Sequence, residues 1–199
     1  MYANFFKRVM DFFLAFIIIC VISPVIVILC LIGAIAMRGN PFFTQKRPGI
    51  IDKKTKREKI FLLIKFRTMS NARDEYGNLL PDGKRLNGYG RFLRKTSLDE
   101  LPELFNILIG DMSFVGPRPQ LVRDMVFMSE EQRMRHSVRP GLTGLAQVNG
   151  RNLLCDSEKI ENDRIYLDNL KIRLDAKILF LTLGCIIGGK GVVGKNTKK

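Results

Sequence analysis

Two adjacent carboxylates, Asp99 and Glu100, are the residues in this sequence best suited to chemistry. Proline is favoured at the first position of a helix, so Pro102 predicts a helix from about Pro102 to Ile109 with both carboxylates at its N-terminal end. The amides and the macrodipole of a helix favour negative charge at this end. The pair is therefore either a charge-complementary helix start or a reactive carboxylate site.

Basic side chains that suit phosphate occur before and after this pair. Arg94 lies five residues before Asp99, and Arg118 stands between two prolines that fix the local backbone. The planar guanidinium matches phosphate oxygens, and a fixed backbone lowers the entropy lost on binding. Lys65 and Arg67 lie two apart in a predicted strand and so point to one face, which is either a phosphate-facing wall or a solvated one. Three further candidates for phosphate binding lie beside or between proline and glycine turns: Arg139, Gln147 and Arg151.

The composition excludes several kinds of site. His136 is the only histidine, so a His-rich metal site and a Ser/His/Asp triad are excluded, and any metal must be held by oxygen. There is no Walker loop, no GxGxxG fingerprint and no CxxC pair, and we expect the four cysteines to be reduced. Lys and Arg number 33 against 19 Asp and Glu, a formal net charge of +14. This charge favours an anionic partner, which can be nucleic acid, acidic lipid or a phosphorylated substrate.

An uncharged stretch covers residues 12–37. A straight helix of this length rises about 39 Å, more than the roughly 30 Å hydrocarbon core of a bilayer, so we expect membrane insertion. Ser23-Pro24 divides the stretch into two arms that are each too short to span. Basic clusters at residues 7–8 and 38–47 flank it, and a re-entrant, monotopic hairpin would keep both clusters in the cytoplasm. The alternatives are an ordinary kinked transmembrane helix and a cleaved signal peptide, for which the apolar region is far too long.

The remaining pattern predicts an α+β fold, mostly helical with a small β-hairpin. We expect residues 1–38 to form the re-entrant membrane anchor and residues 39–199 the catalytic domain. The apolar run Ile178–Gly189 is either core packing or an interfacial helix. The other predicted elements are strands Pro41–Lys46 and Ile60–Thr68, an irregular loop Ser70–Gly90, a helix that a capping box opens at Ser129 and Arg139-Pro140-Gly141 ends, and a helix Ser157–Leu170.

Four motifs, in this order along the chain, resemble the bacterial sugar transferase family of monotopic polyprenol-phosphate phosphoglycosyltransferases. The resemblance covers nearly the whole chain, including the basic pair and the apolar segment with Ser-Pro at its middle. The length is similar to that of the small members, which consist of the catalytic domain alone. The motifs are KFRTM at 65–69, SLDELP at 97–102, DMSFVGPRP at 111–119 and RPGLTGLAQVNGR at 139–151.

The resemblance implies a re-entrant membrane helix, Mg²⁺ dependence, a UDP-sugar donor and undecaprenyl phosphate as acceptor. By motif position, Asp99 is the nucleophile and a metal ligand, and Glu100 is its partner. Lys65, Arg94 and Arg118 fall where the family contacts metal-bound phosphates. The chain would then act at the bacterial inner membrane, with its catalytic domain on the cytoplasmic face, in the first membrane step of a glycoconjugate pathway.

Two other functions must be weighed against this expectation. The first is a membrane-anchored nucleic-acid binder, which the charge favours, but the sequence has no RRM, KH or zinc-finger signature, so we expect no nucleic-acid partner. The second is a catalytically silent scaffold, against which the intact Asp99-Glu100 pair argues.

Overall fold

The computed structural model describes residues 2–150 and 153–188, which form a mostly helical α+β fold with two small sheets, in agreement with the predicted class. Strands β1 and β2 form an antiparallel hairpin, and strands β3 and β4 a short parallel pair. The strands are β1 (Phe42–Ile51), β2 (Glu58–Phe66), β3 (Ser113–Val115) and β4 (Gly141–Thr143). The helices are α1 (Lys7–Ala36), α2 (Asp82–Arg85), α3 (Gly88–Thr96), α4 (Glu103–Ile109), α5 (Glu130–Arg133), α6 (Leu145–Asn149), α7 (Asp156–Asp168) and α8 (Ile172–Gly188).

Helix α1 is long and apolar enough to cross a membrane, and most of its side chains are exposed. It continues through Pro24, although proline has no N–H to donate to the carbonyl of Cys20, four residues earlier. The hydroxyl of Ser23 donates to that carbonyl instead, at 2.9 Å. This bond gives the carbonyl a partner within α1, which runs as one helix through Ser23-Pro24 where the sequence predicted a division into two arms.

One stripe of α1 packs against the rest of the chain. Its buried residues recur every three or four positions, apart from one interval of eleven residues, about three helical turns, as expected for a single face of a helix. These residues are Lys7, Asp11, Ala15, Ile26, Leu29 and Gly33. The remaining faces of the helix expose valine, isoleucine, leucine and phenylalanine side chains. The proposed division of the chain near residue 38 stays a prediction.

Two buried apolar clusters hold the elements together. The larger one joins β2, α4, β3, α7 and α8 with Ala15 of α1, and it includes Leu63, Ile107 and Tyr166. The smaller one packs Phe66 of β2 and Leu93 of α3 against the C-terminal half of α1, at Ile26 and Leu29. Strand β2 therefore contributes to both clusters.

The segment predicted as the irregular loop Ser70–Gly90 is more ordered than expected. Residues 67–81 are irregular, but α2 follows, and α3 already begins at Gly88. The side chain of Asn87 accepts a hydrogen bond from the Gly90 N–H at 2.9 Å and so caps α3. A Cβ at Gly90 would lie 1.9 Å from the carbonyl oxygen of Thr68, so only glycine allows this close approach.

Other predicted elements differ mainly at their ends. Strand β1 extends to Ile51 because a bulge between Pro48 and Ile51 lets pairing continue beyond the proline. The capping box at Ser129 is present, but α5 ends at Arg133 and continues as a 3₁₀ turn, Met134–Ser137. In α8, Ile178 is buried in the core, as the core-packing alternative predicts, while other apolar side chains of this helix are exposed, and its role as an interfacial helix stays a prediction.

Candidate active site

The two carboxylates Asp99 and Glu100 lie in a tight turn between α3 and α4. Ser97 ends α3 in the left-handed region, with φ 57°, and the 3₁₀ turn Leu98–Glu100 follows directly. Helix α4 then begins at Glu103, after Pro102. The predicted helix and the position of the pair before it are therefore confirmed.

A buried amide fixes this turn relative to the hairpin. The side chain of Asn106, on α4, donates to the carbonyl of Leu62 at 2.7 Å and accepts from the N–H of Ile64 at 3.0 Å. It thereby bonds the free edge of β2 as a neighbouring strand would. Since Asn106 is fully buried, both bonds are shielded from water. The amide holds α4 against the strand that carries Lys65.

Four charged side chains meet where α4 faces the end of β2. The Lys65 Nζ lies 2.9 Å from Glu100 Oε1 and 2.9 Å from Glu103 Oε1. The Arg118 Nη2 donates to the same Glu100 oxygen at 2.5 Å. The side chain of Glu103 is only 2% exposed, whereas that of Arg118 is about half exposed, at 47%. Two cations therefore neutralise Glu100 at the surface of the site.

The surroundings push the carboxylate pKa values apart. Burial alone would raise the pKa of Glu100, but Arg118 and Lys65 outweigh it and lower that pKa, so Glu100 is ionised. Burial and the Glu100 charge raise the pKa of Glu103 in spite of Lys65. Burial, followed by the Glu100 charge, also raises the pKa of Asp99.

The loop that carries Arg118 is fixed through its backbone. Arg135 donates to the carbonyl of Arg118 at 3.1 Å, and Arg47 donates to that of Pro119 at 3.1 Å. The N–H of Gly116, at the start of the loop, donates to the carbonyl of Thr143 at 2.9 Å. These bonds leave the Arg118 side chain free to reach Glu100 from a rigid turn.

Arg47 and Glu103 are site residues that the sequence reasoning missed. Together with Lys65 and Arg118 they line a cavity of about 30 Å³, roughly the volume of one water molecule. In the sequence, Arg47 stands out only as one of the basic residues that flank the membrane segment. Glu103 follows Glu100 by three residues, a spacing that places side chains on one helical face and could have identified it.

Arg94 and Arg67, two predicted phosphate-binding residues, lie near this cluster. The Arg94 Nε donates to Thr68 Oγ1 at 3.0 Å, and its charge partly offsets the rise in the pKa of Asp99. Strand β2 ends at Phe66, so Arg67 falls just beyond it, where its backbone N–H donates to Pro41. Their roles toward phosphate stay predictions.

In the described part of the chain, neither Arg139 nor Gln147 forms a hydrogen bond or ion pair with the carboxylates. Arg139 donates to the carbonyl of Gly110 at 2.9 Å, at the opposite end of α4. Gln147 is buried on α6, and within residues 2–150 and 153–188 neither polar atom of its amide has a hydrogen-bond partner. Arg151 lies outside the described residues. Phosphate binding by these three also stays a prediction.

The family resemblance implies Mg²⁺, which oxygen ligands of this site would have to hold. Among the described residues, no group of three or more His, Cys, Asp or Glu side chains could hold a metal. Mg²⁺ is, however, often bound by one or two carboxylates together with substrate phosphates. In the described part of the chain, Asp99 forms no ion pair, unlike Glu100 with its two cations. Asp99 is therefore a suitable oxygen ligand for such a shared site.

Comparison with known proteins agrees with the arrangement of these motifs. The profile of the family described as Bacterial sugar transferase matches residues 2–189. The chain belongs to this family. It is 45% identical to the uncharacterized sugar transferase EpsL of Bacillus subtilis, over 96% of this chain and 91% of that protein.

Longer relatives have more specific names. The UDP-glucose:undecaprenyl-phosphate glucose-1-phosphate transferase of Klebsiella pneumoniae is 37% identical over 89% of this chain and 39% of its own length. The UDP-N-acetylgalactosamine-undecaprenyl-phosphate N-acetylgalactosaminephosphotransferase of Aeromonas hydrophila is 36% identical over 94% of this chain and 45% of its own length. The chain therefore spans less than half of these two relatives.

The raised pKa of Glu103 predicts a pH-dependent stability. The protonated carboxyl of Glu103 stabilises the fold fully at a pH below its pKa in the unfolded chain, about 4.5. This contribution is lost as the pH rises through its pKa in the folded protein, about 7. Glu103→Gln keeps the shape but cannot ionise. The free energy of unfolding of this variant should therefore fall less than that of the wild type when the pH is raised from 4.5 to 8.

Denaturant unfolding across this pH range measures the effect, and Glu75→Gln, at an exposed position, is the matched control. The control should follow the wild type. The contrary result would be a stability of Glu103→Gln that depends on pH as that of the wild type does, or a variant that is less stable than the wild type at pH 8. Either result would mean that neighbouring charges stabilise ionised Glu103, and the raised pKa assigned to it would be wrong.

Proposed function

We propose that this chain is a phosphoglycosyltransferase that moves a sugar 1-phosphate from a UDP-sugar to undecaprenyl phosphate and releases UMP. The observation that carries the proposal is that Asp99 lies beside Glu100, and that Lys65 and Arg118 form ion pairs with Glu100. The names of the relatives support the same class of donor and acceptor. A diphosphate donor fits the site because the basic side chains can exchange a carboxylate oxygen for phosphate oxygens of similar geometry.

The proposed reaction has two steps. In the first, the Asp99 carboxylate attacks the sugar-bearing phosphorus, a new P–O bond forms, and the bond to UMP breaks with its electron pair on UMP. In the second, an oxygen of the lipid phosphate attacks the same phosphorus and the aspartyl carboxylate leaves. The products are UMP and the sugar joined to the lipid through a diphosphate, and Asp99 is regenerated.

The charged side chains have separate roles in this proposal. Lys65, Arg94 and Arg118 orient the donor phosphates and stabilise the negative charge that shifts toward UMP. Glu100 keeps Lys65 and Arg118 in place before the donor binds, because it is ionised between them. Bound Mg²⁺, with Asp99 as a ligand, would supply further neutralisation of the diphosphate.

The proposed nucleophile can be tested without the acceptor. Wild-type protein incubated with UDP-sugar and Mg²⁺ should release UMP stoichiometrically with enzyme and gain the mass of one sugar phosphate. Asp99→Asn removes the nucleophilic charge and should do neither, with turnover lowered by orders of magnitude. Intact-protein mass spectrometry measures the adduct, and a panel of UDP-sugars with undecaprenyl phosphate identifies the donor.

Asp168→Asn, at the exposed end of α7, is the matched control and should form the adduct at the wild-type level. An adduct on Glu100 would mean that Glu100 is the nucleophile and Asp99 its partner. No adduct, with UMP release only when both substrates are present, would favour direct transfer in a ternary complex and refute the covalent intermediate. No UMP with any UDP-sugar would refute the proposed activity itself.

We also propose that α1 is a monotopic anchor at the cytoplasmic face of the bacterial inner membrane. Near its N-terminus, Arg8 donates to the carbonyls of Ile107 and Leu108, both at 2.7 Å. Near its other end, the Tyr89 hydroxyl donates to the carbonyl of Leu29 at 2.9 Å. Arg8 and Leu29 are about 30 Å apart along a helix, roughly the thickness of the hydrocarbon core.

These contacts argue against an ordinary span. If α1 crossed the bilayer between Arg8 and Leu29, the polar domain that binds both ends would have to lie within the hydrocarbon core. A helix that stays on one side of the bilayer, with both of its ends bound to the domain, avoids this cost. The same arrangement keeps the site at the surface where a cytosolic UDP-sugar and a lipid phosphate can meet.

The anchor predicts that both ends of α1 face the cytoplasm. Single cysteines near residues 4 and 40 of a cysteine-free chain should both be protected from an impermeant reagent outside intact cells. Both should react after the cells are permeabilised, which is the control for accessibility. Labelling of only one of the two in intact cells would contradict the monotopic arrangement and establish a span.

A further inference from the structure

The hairpin of β1 and β2 has one face whose middle part is exposed in the described part of the chain, at Lys46, Leu62 and Ile60, while Pro48 and Glu58, farther out on the same face, are buried. In the antiparallel register Phe42 lies opposite Phe66, and Lys46 lies opposite Leu62. Side chains alternate along a strand, so these four project from the same face. The alternate positions of β2 carry side chains of the main core and Lys65, and they belong to the opposite face.

The base of this face packs against the membrane helix. The rings of Phe42 and Phe66 stack with centroids 5.5 Å apart, and they join Ile26 and Leu29 of α1 in the smaller buried cluster. The face therefore looks toward α1. Beyond the residues that pack on the helix, two apolar side chains of this face are exposed. These side chains are Leu62, at 54% exposed, and Ile60, at 42%.

Basic side chains lie at the tip of the same hairpin. All four are exposed, and in the described part of the chain none of them forms an ion pair. The only acid in the turn, Asp52, accepts hydrogen bonds from the N–H groups of Lys54 and Thr55, both at 2.8 Å, and so is engaged with the backbone. The four basic residues are Lys53, Lys54, Lys56 and Arg57.

We infer that this hairpin face is a second membrane contact, which lies on the bilayer surface and binds anionic lipid headgroups through its basic tip. Leu62 and Ile60 would enter the interface beside α1, while the tip stays at the level of the headgroups. Basic residues close to an anionic leaflet are attracted to it, and salt screens this attraction. The inference rests on the proposed anchoring of α1 and is independent of the proposed catalysis.

Tryptophan fluorescence can test this contact, because the sequence contains no tryptophan. Each single variant of the full chain, reconstituted in lipid vesicles that contain no other protein, then has only one reporter. Leu62→Trp reports the hairpin face, Val21→Trp the exposed side of α1, and Tyr76→Trp an exposed position in the polar loop. Brominated lipids quench a tryptophan in the bilayer, and acrylamide quenches one in water.

In anionic vesicles, brominated lipid should quench Leu62→Trp several times more strongly than Tyr76→Trp. Neutral lipid or high salt should reduce this quenching, as should replacement of Lys53, Lys54 and Lys56 by glutamine. The quenching of Val21→Trp should not change under any of these conditions, since it depends on apolar insertion alone.

Three results would overturn the inference. In the first, acrylamide quenches Leu62→Trp as strongly as Tyr76→Trp, while brominated lipid quenches Val21→Trp. The hairpin face would then lie in water, although α1 is in the membrane. If neither quencher reached Leu62→Trp, protein would cover the face. If lipid failed to quench Val21→Trp as well, the anchoring of α1 would be wrong, and the inference with it.

Discussion

The buried side-chain amide of Asn106 is the interaction on which the geometry of the site depends. Its two hydrogen bonds to the edge of β2 hold α4 against the hairpin, at 2.7 and 3.0 Å. A buried backbone group left without a partner costs about 1–3 kcal/mol, so the two bonds cannot be lost without consequence. The turn of Asp99 and Glu100 immediately precedes α4, and Lys65 immediately follows the bonded stretch of β2. One contact therefore sets the distance between the anionic turn and its lysine.

The same helix links the site to the membrane anchor. Arg8 of α1 and Arg139 donate to carbonyls at the C-terminal end of α4, while the carboxylate turn lies at its other end. Cations are favourable at this end of a helix. Helix α4 is thus fixed at one end by the anchor and along its side by the hairpin. This arrangement gives the carboxylates a defined position relative to α1 and so, in our proposal, to the membrane surface.

Sequence reasoning predicted the features that local patterns determine. The helix after Pro102 follows from proline and glycine signals, and the hairpin from its apolar strands. It missed features that depend on contacts between distant residues. Helix α1 runs through Pro24, where the Ser23 hydroxyl bonds the carbonyl that proline cannot, and α3 packs Gly90 against the carbonyl of Thr68, 22 residues earlier in the chain. Arg47 and Glu103 join the site only when the hairpin and α4 come together.

The most direct test of this account is the stability and turnover of Asn106→Asp as a function of pH. The new carboxylate can still accept from Ile64, but when ionised it cannot donate to Leu62, and its charge is buried. We predict a free energy of unfolding lower by about 2 kcal/mol or more at neutral pH, with turnover reduced in parallel. The stability gap should narrow at low pH, where the protonated acid can donate. Asn40→Asp is the control, because exposed Asn40 only accepts a hydrogen bond. Stability and turnover of Asn106→Asp equal to those of the wild type at every pH would contradict the account.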